Sequence, residues 1–127
     1  MRVVPVILLI LLFVSCATST QKDLKSRTIE NKFIALTVKN LEKLSVGMTK
    51  SQALEAMREG LSDFPEWLLT LNPFRSETLK IKGKTYEVLY YYINIGKREG
   101  TADANESVPL VFEKGRLICW DWECLKR

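Results

Sequence analysis

Apolar residues follow three different rhythms along this chain. Val3 to Phe13 is an apolar run behind Met1-Arg2, well short of the roughly 20 residues that a membrane-spanning helix needs. From Asn31 to Leu44, Phe33, Ile34, Leu36, Val38, Leu41 and Leu44 recur mostly at helical spacing, with Lys32, Lys39, Glu42 and Lys43 left for the wet side. This predicts a first helix. After the break at Gly47, Thr49-Lys50-Ser51-Gln52 has the form of a capping box. Ala53, Leu54, Met57 and Leu61 make an apolar stripe and Gly60 suits the position just past a helix end, so a second helix follows. Leu61 to Phe74 holds Pro65 and Pro73 and predicts one short helix beginning at Pro65 that carries Trp67, Leu68, Leu69 and Leu71.

The period then shortens to two. Leu79 to Ile81 and Tyr86 to Ile93 read as strands meeting at Lys82-Gly83, and Val108 to Phe112 and Leu117 to Trp122 as strands meeting at Lys114-Gly115. Between the hairpins, Gly96 to Ser107 reads as a polar loop. The fold class is α+β: an N-terminal helical hairpin packed on one face of a three- to four-stranded antiparallel meander, ααβββ. A two-residue turn at Lys114-Gly115 sets Phe112 opposite Leu117 and Leu110 opposite Cys119. Val108, Leu110, Phe112, Leu117 and Cys119 then share the face that meets the helices. Val111, Ile118, Trp120 and Trp122 fall on the other face, too apolar for ordinary solvent contact. Tyr91 shares one side of its strand with Leu89 and Ile93, opposite Tyr86, Val88, Tyr90 and Tyr92. Either the Trp67 segment folds over the second face or that face receives a partner, and Tyr91, Trp120 and Trp122 are the candidate contact residues.

The first sixteen residues change the setting. A cationic start, a short apolar segment and Leu12-Phe13-Val14-Ser15-Cys16 have the parts of a secretory signal and resemble the bacterial lipobox, in which cleavage leaves a lipid-modified cysteine as the first mature residue. Cys16 is therefore the expected lipidation site, and the chain divides into a signal peptide at 1–15, a lipid-anchored flexible tether at 16–30 and a single domain at 31–127. Removing residues 1–15 leaves 112 residues and a formal charge of +3, since Arg2 is lost and no acid. Export takes nucleic acid away as a partner, and the mild positive excess bears on anionic headgroups or acidic proteins. Of the other cysteines, Cys119 and Cys124 on a continuous strand stand about 16 Å apart on opposite faces, which favours buried thiols; a turn after Trp122 would allow a bridge.

Candidate chemistry is sparse. The chain has no histidine, which removes Ser-His-Asp and Cys-His catalysis and nearly all catalytic zinc sites. One Cys-x4-Cys pair is too few soft ligands for a structural metal, and the glycines fall singly, with no phosphate-binding loop. The carboxylate pairs Glu55 with Glu59 and Asp121 with Glu123 fit a wet helix face and a strand end. No catalytic residue, metal site or cofactor is expected.

Val46-Gly47-Met48-Thr49-Lys50-Ser51-Gln52-Ala53 resembles the BamE (SmpA/OmlA) lipoprotein family, which carries a Gly-Met-Thr turn opening its second helix and a glycine closing it, as Gly60 does here. The hairpin from Leu110 to Leu117 and Asn72-Pro73-Phe74 are similar to later parts of that family. The chain looks closer still to uncharacterised lipoproteins sharing the tyrosine-rich strand and Pro109-Leu110-Val111-Phe112. The resemblance covers about residues 41 to 122. It implies the ααβββ fold, a lipid-anchored place on the periplasmic face of the outer membrane and work by contact with another envelope protein, in outer-membrane assembly or integrity. Nothing between Ala17 and Asn40 matches the family's lipid- and partner-contacting segment, and Leu61 replaces the proline usual after the closing glycine. A second class stays open: a ligand-binding or inhibitory lipoprotein recognising a lipid, peptidoglycan or a foreign enzyme. The inner membrane is the alternative address, and Ala17 after the cysteine leans to the outer.

Overall fold

A computed structural model describes residues 27–94 and 106–126. The expected signal peptide, Cys16, and residues 96–105 of the expected polar loop lie outside them. The chain divides into two units, Met1–Asn31 and Lys32–Arg127. Of the first, residues 27–31 are described and are helical. Helical structure thus occupies residues 27–30, where a flexible tether is expected from composition; no glycine or proline interrupts residues 27–40.

In the second unit, α1 is the helical stretch 32–40, followed by a 3-10 turn over Leu41–Lys43; α2 is Lys50–Arg58 and α3 is Glu66–Leu69. The capping box is present in full: the Thr49 side chain accepts from the Gln52 N–H, and the Gln52 side chain accepts from the Thr49 N–H. At the other end of α2, the Asn40 amide donates to the Met57 and Glu59 carbonyls at 3.0 and 2.9 Å. It serves groups that a helix terminus otherwise leaves open. Asn40 is 1% exposed. Asn40→Ala should therefore lower stability by about 1.5 kcal/mol, read from a denaturation midpoint, because the buried Met57 carbonyl and the part-buried Glu59 carbonyl lose their donor. No change in midpoint would mean that α2 ends without its help.

Four strands form one antiparallel sheet in sequence order: β1 Arg75–Ile81, β2 Lys84–Tyr92, β3 Ser107–Glu113 and β4 Arg116–Cys119. This is the expected α+β class with its strands joined at both expected turns. Lys82 and Gly83, and again Lys114 and Gly115, all take positive φ, the backbone of a two-residue turn matched to strand twist. The first strand begins four residues before Leu79. Its Arg-Ser-Glu-Thr start shows no apolar alternation because it lies on an edge strand, where one side of the pleat is exposed and the other, through Glu77, Leu79 and Ile81, is only half-buried.

Apolar residues gather in separate clusters. Ala53 and Met57 of α2 pack with Leu89, Tyr91, Val108, Leu110, Phe112 and Leu117 on one sheet face. Phe33 and Ile34 of α1 do not join them; they meet Leu61, Leu68 and Tyr92, and Phe33 sits edge-on to Phe64 at 5.4 Å. The single apolar side expected of the two helices is split between these groups. On the second sheet face Tyr86, Val88, Tyr90 and Val111 are covered by Phe74, Ile118, Trp122 and Leu125. Trp67 does not close this face: it is 48% exposed, and α3 buries Leu68 instead.

The C-terminal hairpin departs from the expected register at one point. Phe112 faces Leu117, but a bulge between Val111 and Phe112 brings Cys119 opposite Val111 in place of Leu110. The strand then ends at Cys119. The Asp121 side chain accepts from the Glu123 N–H and starts a 3-10 turn over Trp122–Leu125. This turn brings the Cys119 and Cys124 Cα atoms to 6.4 Å, and the two cysteines form a disulfide, so the buried-thiol expectation is corrected. The expectation assumed extended chain through Trp122, and that assumption alone separated the pair.

Candidate contact surface

Strand β4 is an edge that its own chain half covers. Gly47, with φ +95°, turns the segment after Val46 alongside β4, where the Gly47 N–H donates to the Leu117 carbonyl at 2.8 Å and the Leu117 N–H to the Met48 carbonyl at 2.7 Å. The Arg116 guanidinium donates to the Gly47 carbonyl at 3.1 Å. Glycine suits this position because other side chains resist positive φ. These bonds occupy the start of the edge and leave Val46 standing out beside Ile118 and Trp120, with Val46 70% exposed. The three line a shallow groove of about 390 Å³ with Cys119 and Asp121. The disulfide fixes one end of this surface and the paired segment fixes the other.

The three candidate contact residues do not share one surface. Tyr91 is buried among the residues beneath α2, because the alternation that pairs it with Leu89 also turns it inwards. Its assignment as a contact residue is corrected accordingly. Burial raises its phenol to about 12, against a smaller lowering by the nearby Arg58 charge. Trp122 belongs to the second face, where its indole N–H donates to the Ser107 carbonyl at 2.8 Å and its ring lies 5.7 Å from that of Tyr90. It is half-buried and serves as a lid on the sheet. Trp120, displaced by the bulge, is half-buried against the α2-side cluster and borders the Val46 groove. Of the three, it alone lines that groove.

Val46 was not legible as part of a surface. A lone valine before a glycine turn carries no pattern, and only the pairing of that turn with β4 sets it beside Trp120. A second unexpected cluster lies across the β1–β2 pair, where the Tyr90 hydroxyl donates to Glu77, Arg75 bonds Glu77 at 3.2 Å and the Arg75 guanidinium stacks 4.5 Å above the Tyr90 ring. Desolvation, then the bond to Glu77, raises the Tyr90 phenol. These groups hold the edge strand to its neighbour.

Three of the four carboxylates singled out from the sequence have local partners, and Glu55 is exposed on α2. Glu59 pairs with Lys43 at 3.1 Å, Glu123 with Lys126 at 2.8 Å, and Asp121 caps the last turn. Among the described residues no group of three or more His, Cys, Asp or Glu is placed to hold a metal ion. No helix among them is long and apolar enough to cross a membrane.

Residues 14–127 match the family described as "Protein of unknown function (DUF3192)", and the chain belongs to it. Neither the curated proteins nor the solved structures contain a match.

Proposed function

We propose that this member of the family is a lipid-anchored cell-envelope protein that works by protein–protein contact, without catalysis. In this reading residues 1–15 are removed, Cys16 is acylated, and the following residues tether a BamE-like domain, its helical hairpin against one sheet face, to the periplasmic side of the outer membrane. There it serves outer-membrane assembly or integrity.

The observation that carries the contact reading is the strip of Val46, Ile118 and Trp120 along the half-covered β4 edge. Apolar side chains held on rigid backbone, with a tryptophan among them, are what a partner can desolvate at small entropic loss. The disulfide supports export, because such bonds persist in oxidising compartments. A small-ligand role would draw instead on the hollow of about 640 Å³ between Arg58, Leu61, Phe64 and Leu69.

A photo-crosslinking residue at position 120 of the full chain, expressed in its own envelope, tests the contact reading. It should give a discrete adduct that the same residue at exposed position 55 does not. The Val46→Asp variant should reduce that adduct about tenfold, the loss expected when a charge must enter an apolar contact. Equal labelling from both positions would contradict the assignment.

A further inference from the structure

The two hairpin turns and the start of α2 lie at the same end of the sheet, because Lys82-Gly83 and Lys114-Gly115 close the β1–β2 and β3–β4 pairs while Thr49 bridges to Arg116. That end carries Lys50, Lys80, Lys82, Lys84, Lys114 and Arg116, all exposed, against two carboxylates, Glu87 and Glu113. Both acids are already engaged: Lys50 meets Glu87 at 2.7 Å and Lys84 lies 3.9 Å from Glu113. Lys80, Lys82 and Lys114 have no carboxylate partner among the described residues. The remaining described residues from Lys32 onwards hold six cations and nine acids, so the basic excess is concentrated at this one end.

We infer that this basic end is a docking surface for an acidic segment of a protein partner. The inference rests on the contact reading above and names the chemistry of its partner. A groove of about 430 Å³ lies at this end, lined by Lys50, Thr78, Glu87, Phe112 and Lys114. Arg116, its guanidinium held by the Gly47 carbonyl, links the charged end to Val46 and the apolar strip. An oriented guanidinium beside an apolar strip favours a shaped protein carboxylate; a bilayer needs only mobile point charges. A run of glutamates or aspartates with an apolar residue alongside fits both parts. Opposite charge at this end also raises the encounter rate and makes binding salt-sensitive.

The test uses the full-length protein in neutral detergent and a fluorescein-labelled, glutamate-rich peptide with a central leucine. Replacing the unpaired lysines, Lys80→Gln, Lys82→Gln and Lys114→Gln together, should weaken peptide binding about tenfold, the sum expected from modest exposed pairs. The control Lys32→Gln, Lys39→Gln and Lys126→Gln removes the same charge elsewhere and should change it less than about twofold. Equal losses in the two variants would overturn the inference, since binding would then follow net charge alone. If the Lys80, Lys82 and Lys114 variant instead loses affinity for phosphatidylglycerol vesicles but keeps the peptide, the surface faces lipid and the inference also falls. An adduct from position 120 that survives in that variant while peptide binding is unchanged sinks the acidic partner and leaves the contact reading standing.

Discussion

Phe112→Ala should destabilise the domain by about 4 kcal/mol. Phe112 is 2% exposed on β3, which is paired on both sides, with Glu87 of β2 and Leu117 of β4 as its direct neighbours. Its ring fills the space where Ala53 and Met57 of α2 come down on Leu110 and Leu117. Truncation removes transfer energy and leaves a cavity that two-sided hydrogen bonding keeps from collapsing. A fall of that size is a large share of the stability of a domain this small, and the urea midpoint should drop accordingly. Trp67→Ala, a larger truncation at a half-open site, should cost well under half as much. Similar losses at both positions would mean that the α2-side cluster is not the core.

Removing the disulfide should have the next largest effect. Cys119 and Cys124 are five residues apart, and closing so short a loop restricts the unfolded chain by about 2 kcal/mol. The Cys119→Ala, Cys124→Ala double variant, or the reduced wild type, should melt about 10 °C lower. The mechanism has a local signature as well. The bond holds the turn that seats Trp122 and Leu125 over Tyr86, Val88, Tyr90 and Val111, so its loss should red-shift tryptophan emission before global unfolding. Unchanged melting on reduction would show that the turn is held by Trp122 packing and the Asp121 cap alone.

Much of the fold is legible in the sequence where one residue type has one physical use. Lys-Gly pairs between alternating runs mark the hairpins because the turn demands positive φ twice, and Thr49 with Gln52 marks a helix start because each serves the other's backbone. The first half of β1 is not legible, since an edge strand needs no apolar face and its polar residues look like a loop. The bulge beside Phe112 is equally silent, yet it decides where Cys119 and Trp120 go. Strand period fixes alternation within a strand but says nothing of an inserted residue, so parity carried past the bulge gives the wrong face. Tyr91 is hard to place from the sequence for another reason: a strand with tyrosines on both sides offers no clue as to which side a helix will cover.

The candidate surface divides in the same way. Trp120 can be named from the sequence, while Val46 and the basic end arise only when the Gly47 turn pairs with β4 and two hairpins close at one end of the sheet. Both belong to a proposal in which membrane attachment supplies proximity and the domain supplies a shaped contact.

Everything proposed for the surface depends on attachment, which the intact mass of the chain purified from envelope membranes decides. An attached protein begins at Cys16 and carries added acyl mass, with Cys16→Ala losing that mass and passing into the soluble envelope fraction. A chain that starts elsewhere without acyl mass, or a Cys16→Ala variant retained in the membrane as well as wild type, would contradict it.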